Sequence, residues 1–502
     1  MKYETVIGIE IHCELKTKTK MFSSAPVAFG EVANTCVNEV DLGHPGTLPC
    51  VNKEAVKLAI KAATALKCEI DPLVKFDRKN YYYSDLPKGF QITQQFHPIG
   101  KGGCIHIETK DGVEKDIRIN RIHMEEDTAK QFHSEAGTLI DFNRAGTPLI
   151  EIVSEPDIRN GAEAAAYVEK LRTLLLYLGV SDVKMEEGSM RCDVNVSIRE
   201  AGSDTFGTKT EVKNLNSISN VQKAIDAEVE RQIALVSKGE KVVQATRRYD
   251  ETQKTTILMR KKEGDVDYKF FPEPNIPPIR LDAAWIKDIQ EHMEELPDER
   301  KARYMKENGL KEYDASVLVA NRDLGDFFDA VCEHTKNFKK AANWVIVELP
   351  AALNKDNIKF ANNPCEPKHL AAMINMVEAG EISGKQAKVV FEEIMKGQIV
   401  QRDKKFYLKI RGEGEFEMGL LSDGYRKLAM IVYLILSGSM NKNTILFWDE
   451  PETNMNPKMI RPIVQALVAL AKMGVQIFIT THDYFVQQEF NMLTVYPELN
   501  PD

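Results

Sequence analysis

Side chains alternate with a period of two from Ile7 to Leu15. Glu10 and His12 share the polar side of this pattern, because successive side chains of a strand point to opposite faces. The apolar side carries Ile7, Ile9, Ile11, Cys13 and Leu15. The pattern predicts a half-buried strand. Its polar face either meets solvent or holds a cation between the carboxylate and the imidazole.

Three later stretches, at 121–127, 191–198 and 209–214, repeat this design. Their polar faces carry, in chain order, His123, Glu125 and Asp127, then Asp193, Asn195 and Ser197, then Glu211 and Lys213. If the four predicted strands lie in one sheet, they form an acidic floor of Glu10, His12, Glu125, Asp193 and Glu211.

The acidic floor needs a counter-charge, because close carboxylates repel one another unless a divalent cation neutralises them. Oxygen-rich ligation with one imidazole suits Mg²⁺ or Mn²⁺ better than zinc. Because Mg²⁺ commonly accompanies phosphate groups, the floor points to ATP-dependent chemistry. Four polar strand faces that simply meet solvent remain the alternative.

Helical periodicity occupies the stretches between the predicted strands. Residues 52–66, 162–178 and 217–238 each read as an amphipathic helix. Strand and turn signals continue to about residue 290, where the proline-rich run 272–278 marks a boundary. From 283 to about 396 the pattern is helical throughout. We therefore predict an α+β protein with a large, mostly antiparallel sheet followed by a helical domain.

Composition adds three limits to this picture. A chain of 502 residues is too long for one core. It has no run of 18 apolar residues and opens without a signal-peptide pattern, so we expect a cytoplasmic protein with no membrane contact. Its eight cysteines are scattered with no CxxC pair, so neither a disulfide framework nor zinc is expected.

The net charge of −9 argues against indiscriminate nucleic-acid binding. Residues 205–262 nevertheless hold 12 Lys and Arg against 7 Asp and Glu. This local excess is either a solvated helix face or a surface for phosphates.

A dense polar and aromatic loop follows residue 76. Three consecutive tyrosines, Tyr81 to Tyr83, precede Asp85 and Lys88. Surface loops with many rigid hydrogen-bonding groups are candidate binding elements, although tyrosines near a strand also serve in plain packing.

Several blocks together resemble the GatB family, whose members form one of the three subunits of the tRNA-dependent amidotransferase. The blocks are GIEIHCEL, FDRKNYYYSDLPKGFQITQ, RIHMEEDTAK, DFNRAGTPLIEIVSEPDI, MRCDVNVSIRE, GTKTEVKNLNS, TRRYDETQKTTILMR and YKFFPEPNIPP. The resemblance runs from residue 1 to about 397. It implies a cradle or catalytic domain at 1–290 and a helical domain at 291–397.

The resemblance also implies a function. Such proteins use Mg²⁺ and ATP to phosphorylate the side-chain carboxylate of misacylated Glu-tRNA(Gln) or Asp-tRNA(Asn), and ammonia released from glutamine by a partner amidase then displaces the phosphate. The GatCAB heterotrimer is completed by a small third subunit. The family's metal and kinase ligands match Glu10, His12, Glu125, Asp193 and Glu211, with Glu125 also catalytic. Its polar channel and pocket residues match Lys79, Tyr82, Asp85 and Lys88.

A different pattern begins near residue 398, where the family normally continues into a small helical tail domain. Residues 398–502 resemble the distal half of an ABC-type ATPase of the RecF/SMC-like kind. Ser422 and Gly424 stand in the signature loop, Asp449 is the Walker B acid, Glu450 is the general base and His482 is the switch histidine. No G-x-x-x-x-G-K-[ST] phosphate loop occurs in the 502 residues, so we expect no autonomous ATP hydrolysis from this segment.

Two alternative functions stay open at this point. The chain is either a tRNA-binding or assembly protein impaired by replacement of its tail domain, or a fusion whose C-terminal ATPase half acts with a partner in trans.

Overall fold

The computed structural model describes most of the chain. The described residues are 3–135, 137–261, 267–355, 357–402, 405–410, 414–417, 440, 444–453, 460–472 and 474–495. The chain divides into two compact units, Met1–Glu299 and Arg300–Asp502.

The first unit is built from many strands and four helices. Its strands are β1 (Tyr3–Glu14), β2 (Glu69–Ile70), β3 (Leu73–Val74), β4 (Asp77–Asn80), β5 (Phe90–Thr93), β6 (Gly100–Lys101), β7 (Cys104–Glu108), β8 (Glu114–Glu126), β9 (Lys130–Ser134), β10 (Gly137–Asp141), β11 (Pro148–Ser154), β12 (Met190–Glu200), β13 (Thr210–Leu215), β14 (Ala245–Asp250), β15 (Thr255–Lys261), β16 (Phe271–Pro272) and β17 (Ile279–Arg280). Its helices are α1 (Lys53–Ala65), α2 (Gly161–Tyr177), α3 (Ile218–Ser237) and α4 (Ala283–Glu291).

A ten-stranded sheet dominates this unit. Its strands follow the order β15-β14-β13-β12-β1-β11-β8-β6-β2, with β7 paired to the start of β8. Neighbouring strands are antiparallel except for β13 and β14, which are parallel. The predicted large, mostly antiparallel sheet is therefore confirmed. Two features were not predicted: β1 lies at the centre, and β11 separates it from β8.

The apolar face of this sheet forms the core of the first unit. The predicted apolar positions of β1 are buried: Ile7, Ile9, Ile11, Cys13 and Leu15. They share one hydrophobic cluster with residues of α1, α2 and α3. Each fully buried isoleucine contributes about 1.5–3 kcal/mol relative to an exposed one. Since these helices occupy the apolar face, the polar side chains of β1 lie on the opposite face.

The three helices predicted in the strand-rich region are confirmed at both ends. Each begins after a residue whose side chain accepts hydrogen bonds from first-turn amides, namely Asn52, Asn160 and Ser217. Such caps satisfy amides that have no partner within the helix.

A fully buried carboxylate ties α3 to the sheet. Glu228 accepts hydrogen bonds from the hydroxyl groups of Thr210 and Thr256, both at 2.6 Å, and from the guanidinium of Arg231 at 2.6 and 2.9 Å. Arg247 on β14 adds an ion pair at 3.3 Å. Burial opposes the charged form, but the Arg231 and hydroxyl donors prevail and lower the pKa of Glu228.

Replacing Glu228 by Gln should destabilise the first unit by about 2 kcal/mol at pH 7, since it removes charge-assisted hydrogen bonds from a buried site. A lowered pKa adds stability above the unfolded-state value, near 4.3, and that stability is lost as the pH falls through the folded value. The difference in the free energy of unfolding between Glu228→Gln and wild type, measured with urea, should therefore become smaller below about pH 4.3. The matched control is Glu230→Gln, an exposed position on α3. An equal effect of both substitutions would contradict this role.

The second unit begins with helices. They are α5 (Pro297–Lys306, which starts at the end of the first unit), α6 (Glu312–Ala320), α7 (Arg322–Cys332), α8 (Phe338–Asn343), α9 (Leu349–Lys355), α10 (Pro367–Glu378) and α11 (Gly384–Lys396). A π-helical turn, Trp344–Glu348, joins α8 to α9. The predicted helical region is confirmed. Among the described helices of the chain, none combines the length and apolar character that a membrane span requires.

Strands return after residue 396. They are β18 (Gly397–Arg402), β19 (Lys405–Ile410), β20 (Gly414–Glu417), β21 (Ile445–Asp449) and β22 (Gln476–Thr480), with helices α12 (Ile460–Lys472) and α13 (Tyr484–Val495). β19 and β20 form a hairpin, and β18 extends it to three strands.

β21 is apolar along most of its length, but the described elements cover only one of its faces. β21 and β22 pair in parallel, and Leu446 and Trp448 pack on one side. On the other side Phe447 is 73% exposed and stacks on Phe478, which is 48% exposed. Alternation places every second side chain on each face of a strand, and the described elements cover one face of this pair.

Candidate active site

Three side chains converge on the polar face of the large sheet. Strand register puts His12 of β1 opposite Glu151 of β11, and Glu151 opposite His123 of β8. His12 Nε2 lies 3.5 Å from Glu151 Oε2 and 3.7 Å from Glu125 Oε1. One ligand atom from each of His12, Glu125 and Glu151 falls within 4.8 Å of the others. We call these three residues the triad.

The carboxylates and imidazoles of this site favour one another's charged forms. Burial opposes ionisation, but His123 and His12 hold the pKa of Glu151 well below its usual range. Burial likewise disfavours a charged imidazole, yet Glu151 and Glu125 raise the pKa of His12, and raise that of His123 to about 9. The site therefore attracts positive charge.

This donor set fits a divalent cation. Two carboxylates and one imidazole offer the mostly oxygen ligands that Mg²⁺ and Mn²⁺ prefer. The buried His123 Nδ1 has no hydrogen-bond partner among the described residues, while its Nε2 contacts Glu151 Oε2 at 3.1 Å. His123 therefore orients the carboxylate from behind, as outer partners of metal ligands do.

The predicted acidic floor exists as one face of one sheet, but it divides into two groups. His12 and Glu125 belong to the triad. The other three carboxylates are engaged by neighbouring side chains. Asn195 donates to Glu10 at 3.0 Å, and Lys213 contacts Asp193 at 2.6 Å and Glu211 at 3.2 Å. Burial, followed by Glu151 and Asp193, raises the pKa of Glu10.

Sequence reasoning missed Glu151, the acid at the centre of the triad. It lies between the buried Ile150 and Ile152 in the short strand β11. A single carboxylate inside an apolar run was the available signal. The position of Glu151 beside His12 and His123 follows from the pairing of β11 with β1 and β8. Neither alternation nor spacing in the sequence reveals which strands are neighbours.

Two cavities have His12 of the triad in their walls. The larger, about 520 Å³, is lined by His12, Met185, Met190, Arg191, Cys192, Asp193, Lys213, Asn214, Leu215 and Asn216. The smaller, about 180 Å³, is lined by His12, Lys79, Tyr81, Gln91, Glu125, Asp127, Thr128, Leu149 and Arg191. His12 and Arg191 line both, so a group bound in one cavity lies next to a group bound in the other.

The four residues predicted from the tyrosine-rich loop take different positions. Lys79 lines the smaller cavity, and its ammonium lies 4.9 Å from the ring centre of Tyr268. Lys88 forms an ion pair with Glu126 at 2.5 Å. Asp85 Oδ1 is buried with no hydrogen-bond partner among the described residues. Tyr82 is 87% exposed and lines neither cavity.

The residues predicted to bind nucleotide in the C-terminal segment are partly described. His482 Nε2 lies 3.8 Å from Glu450 Oε1, and the Thr480 hydroxyl donates to Asp449. These side chains stand at the carboxyl ends of β21 and β22, and His482 is almost fully exposed. Ser422 and Gly424 lie outside the described residues.

In metal-free protein His123 should remain protonated through pH 7–8, because its pKa is about 9. A raised pKa adds stability that is present below about 6.5 and is lost as the pH rises through about 9. NMR titration of the imidazole resonances measures this value directly. Glu151→Gln should lower it, because Glu151 is the largest contributor that raises it.

The control for this titration is Glu155→Gln, which removes a carboxylate that hydrogen-bonds to Asn120 instead. A pKa of 6.5 or lower for His123 in the metal-free wild type would refute the charge balance assigned to the triad.

Comparison with known proteins gives a consistent result for the first four fifths of the chain. Residues 5–287 match the GatB/GatE catalytic domain, and residues 326–404 match the GatB domain. The chain is similar to the GatB subunit of the aspartyl/glutamyl-tRNA(Asn/Gln) amidotransferase of Bacillus licheniformis, with 52% identity over 396 residues, 79% of this chain and 83% of the relative. The same protein of Mycoplasma capricolum is 49% identical over 406 residues, covering 80% and 85%.

Two solved structures align only weakly with this chain. A structure from work on SMC ATPases aligns over 19% of this chain and 62% of that chain, with 10% identity and a TM-score of 0.17. An Smc head domain from Pyrococcus furiosus aligns over 38% and 49%, with 12% identity and the same TM-score. Such scores carry no argument about the fold of the C-terminal segment.

Proposed function

We propose that this chain, which belongs to the GatB family, activates its substrate carboxylate at the His12–Glu125–Glu151 triad. As the GatB subunit of an aspartyl/glutamyl-tRNA(Asn/Gln) amidotransferase it works on misacylated tRNA together with the two other proteins of the GatCAB heterotrimer, the amidase and a small partner. The enzyme is an ATP-dependent ligase that uses ammonia derived from glutamine. The observation that carries the proposal is the triad itself, because His12 lines both cavities and the buried carboxylate of Glu125 lines the smaller one.

The chemistry explains why two cavities must meet. A carboxylate is a poor acyl donor until one of its oxygens becomes part of a leaving group. An oxygen of the substrate side chain attacks the γ-phosphorus of ATP, ADP leaves, and an acyl phosphate forms. Ammonia then attacks the acyl carbon and phosphate departs. Catalysis of the first step consists mainly of holding two negatively charged reactants in line and stabilising their charge.

We assign the larger cavity to the phosphates of ATP. Its size suits part of a nucleotide, and two cations line it: Lys213, which contacts Asp193, and Arg191, which contacts Asp127. We assign Mg²⁺ to the triad, and Glu10, Asp193 and Glu211 to a supporting acidic row. Bound there, Mg²⁺ would shield the phosphates and the substrate carboxylate from each other.

We assign the smaller cavity to the side chain of the misacylated amino acid. About 180 Å³ accommodates a glutamyl or aspartyl side chain but no nucleotide. Lys79 and Arg191 supply the charge that attracts the carboxylate, and His12 lies between this cavity and the larger one. Misacylated Glu-tRNA(Gln) or Asp-tRNA(Asn) would present its side chain here.

We propose that Tyr82, Asp85 and Lys88 lie along the polar approach for ammonia. The unpartnered Oδ1 of Asp85 is a buried acceptor, and such a group is costly unless a polar molecule reaches it. Lys88 fixes Glu126, whose Oε1 also accepts from the backbone amide of Ile92 at 2.9 Å. These contacts keep the approach rigid.

Glu151→Gln and Glu125→Gln should each lower the amidation of Glu-tRNA(Gln) by about a hundredfold or more, because each removes a metal ligand. The assay uses the full chain assembled into the GatCAB heterotrimer, with glutamine and Mg-ATP. Affinity for tRNA should change less than about twofold, since neither group is placed on the RNA. Titration with Mn²⁺, followed by electron paramagnetic resonance, should show weakened metal binding in both variants.

The matched control is Glu200→Gln, an exposed glutamate at the far end of β12. Full turnover in both triad variants would refute the assigned site. Tight tRNA binding by a wild-type complex that shows no amidation would instead favour the alternative of an impaired tRNA-binding protein.

We propose a three-part division of the chain, 1–290, 291–397 and 398–502, and a cytoplasmic location. We further propose that residues 398–502 are a partial ATPase-like segment without hydrolysis of their own. Supporting this, Asp449, Glu450 and His482 gather at the ends of two strands, while the sequence has no phosphate loop to hold a nucleotide there.

Glu450→Gln should leave the ATP consumption of the assembled enzyme within about twofold of wild type, because Glu450 has no bound nucleotide to act on. Phosphate release with and without misacylated tRNA measures this. A loss of tRNA-independent hydrolysis in the variant would show that this segment completes an ATPase site in trans.

A further inference from the structure

Five aromatic rings form a continuous row beside the smaller cavity. In order they are Tyr83, Tyr81, Tyr268, Phe270 and Phe96. Successive ring centres lie 5.8, 5.9, 5.8 and 6.5 Å apart, and every pair meets edge to face. We call this row the aromatic ladder.

Backbone pairing holds the ladder in place. Tyr81 follows β4, and Tyr268 precedes β16, which pairs with β4. The amide of Asn80 donates to the Tyr268 carbonyl at 2.9 Å, and its side chain donates to the Lys269 carbonyl at 2.7 Å. The Tyr81 hydroxyl donates to Gln91 Oε1 at 3.0 Å. The inner rings are therefore positioned before any ligand arrives.

The ladder leaves aromatic surface uncovered. Tyr83 and Phe96, at its two ends, are each 56% exposed, and the three inner rings are half-buried. Contiguous exposed aromatic surface is unusual in a protein unless something binds to it. Rigid aromatic rings with exposed surface are the standard platform for unpaired nucleobases.

We propose that the aromatic ladder receives the 3′-terminal adenine of the tRNA substrate. This inference rests on the proposed function, which puts the esterified amino acid in the smaller cavity. Tyr81 belongs both to the wall of that cavity and to the ladder. An amino acid in the cavity is bonded to the terminal ribose, so the terminal base lies within about one nucleotide length of Tyr81.

Charge along the ladder fits the same ligand. The Lys79 ammonium lies over the Tyr268 ring, and Arg260 donates to the Tyr83 hydroxyl at 3.2 Å. Arg260 thus places a cation at the outer end of the ladder, where the phosphates that precede the terminal base would pass. The adenine of ATP is the competing occupant. None of the five rings lines the larger cavity, which favours the base of the tRNA.

The test uses the full chain assembled into the GatCAB heterotrimer and a tRNA whose terminal adenine is replaced by 2-aminopurine. Stacking on the ladder should quench the fluorescence of this base when the wild-type complex binds. Tyr268→Ala should abolish most of the quenching and raise KM for aminoacyl-tRNA about tenfold, with KM for ATP unchanged. Tyr268→Phe, which keeps a ring, should behave like wild type. Phe206→Ala, at an exposed aromatic elsewhere in the first unit, is the control.

Tyr83→Ala provides a second variant at an exposed position, where folding is not at risk, and it should also reduce the quenching. A rise in KM for ATP in place of that for tRNA would overturn the proposal and assign the ladder to the nucleotide. Unchanged quenching in both alanine variants would overturn it as well. The fluorescence measurement needs no turnover. Quenching without amidation would therefore contradict the proposed function and still support binding of the terminal adenine by the aromatic ladder.

Discussion

Buried charge on three adjacent strands is the constraint on which the rest of the site depends. Each buried ion costs several kcal/mol unless a partner of opposite charge lies within contact. Here His12, Glu151 and His123 face one another across β1, β11 and β8, so every acid has an imidazole beside it. A slip of one residue in either strand pair would turn these side chains to the apolar face. The charge balance and the strand register therefore require each other.

This arrangement also explains why the two cavities can share a wall. Sheet strands bring side chains from distant sequence positions to fixed separations, and helices or loops alone do this less reproducibly. The larger cavity beside His12 is lined mainly by β12 and β13, and the smaller one by β8 and the segments around β4 and β5. A rigid shared wall limits the freedom of two like-charged reactants to move apart.

The sequence predicted which strand faces carry the polar side chains of the site better than it predicted which of these side chains contact one another. Alternation alone identified the polar faces of β1, β8, β12 and β13, and the capped helices α1, α2 and α3 agree with the structure to within a residue. It could not place Glu151, because strand order is set by long-range pairing that leaves no local trace. For the same reason it joined Asp193 and Glu211 to one floor with Glu125. Lys213, two residues from Glu211, forms ion pairs with both acids.

The central position of β1 has a consequence for synthesis on the ribosome. Its partners are made much later: Tyr3 pairs with Glu200, and His12 with Glu151. At about 5–20 residues per second, the strand waits for roughly 10–40 s before β12 emerges. For most of that interval, until β11 is made, this half-apolar strand has neither of its neighbours, a state prone to association with other nascent chains. The strand that organises the finished enzyme is thus the one most in need of a chaperone while the chain is being made.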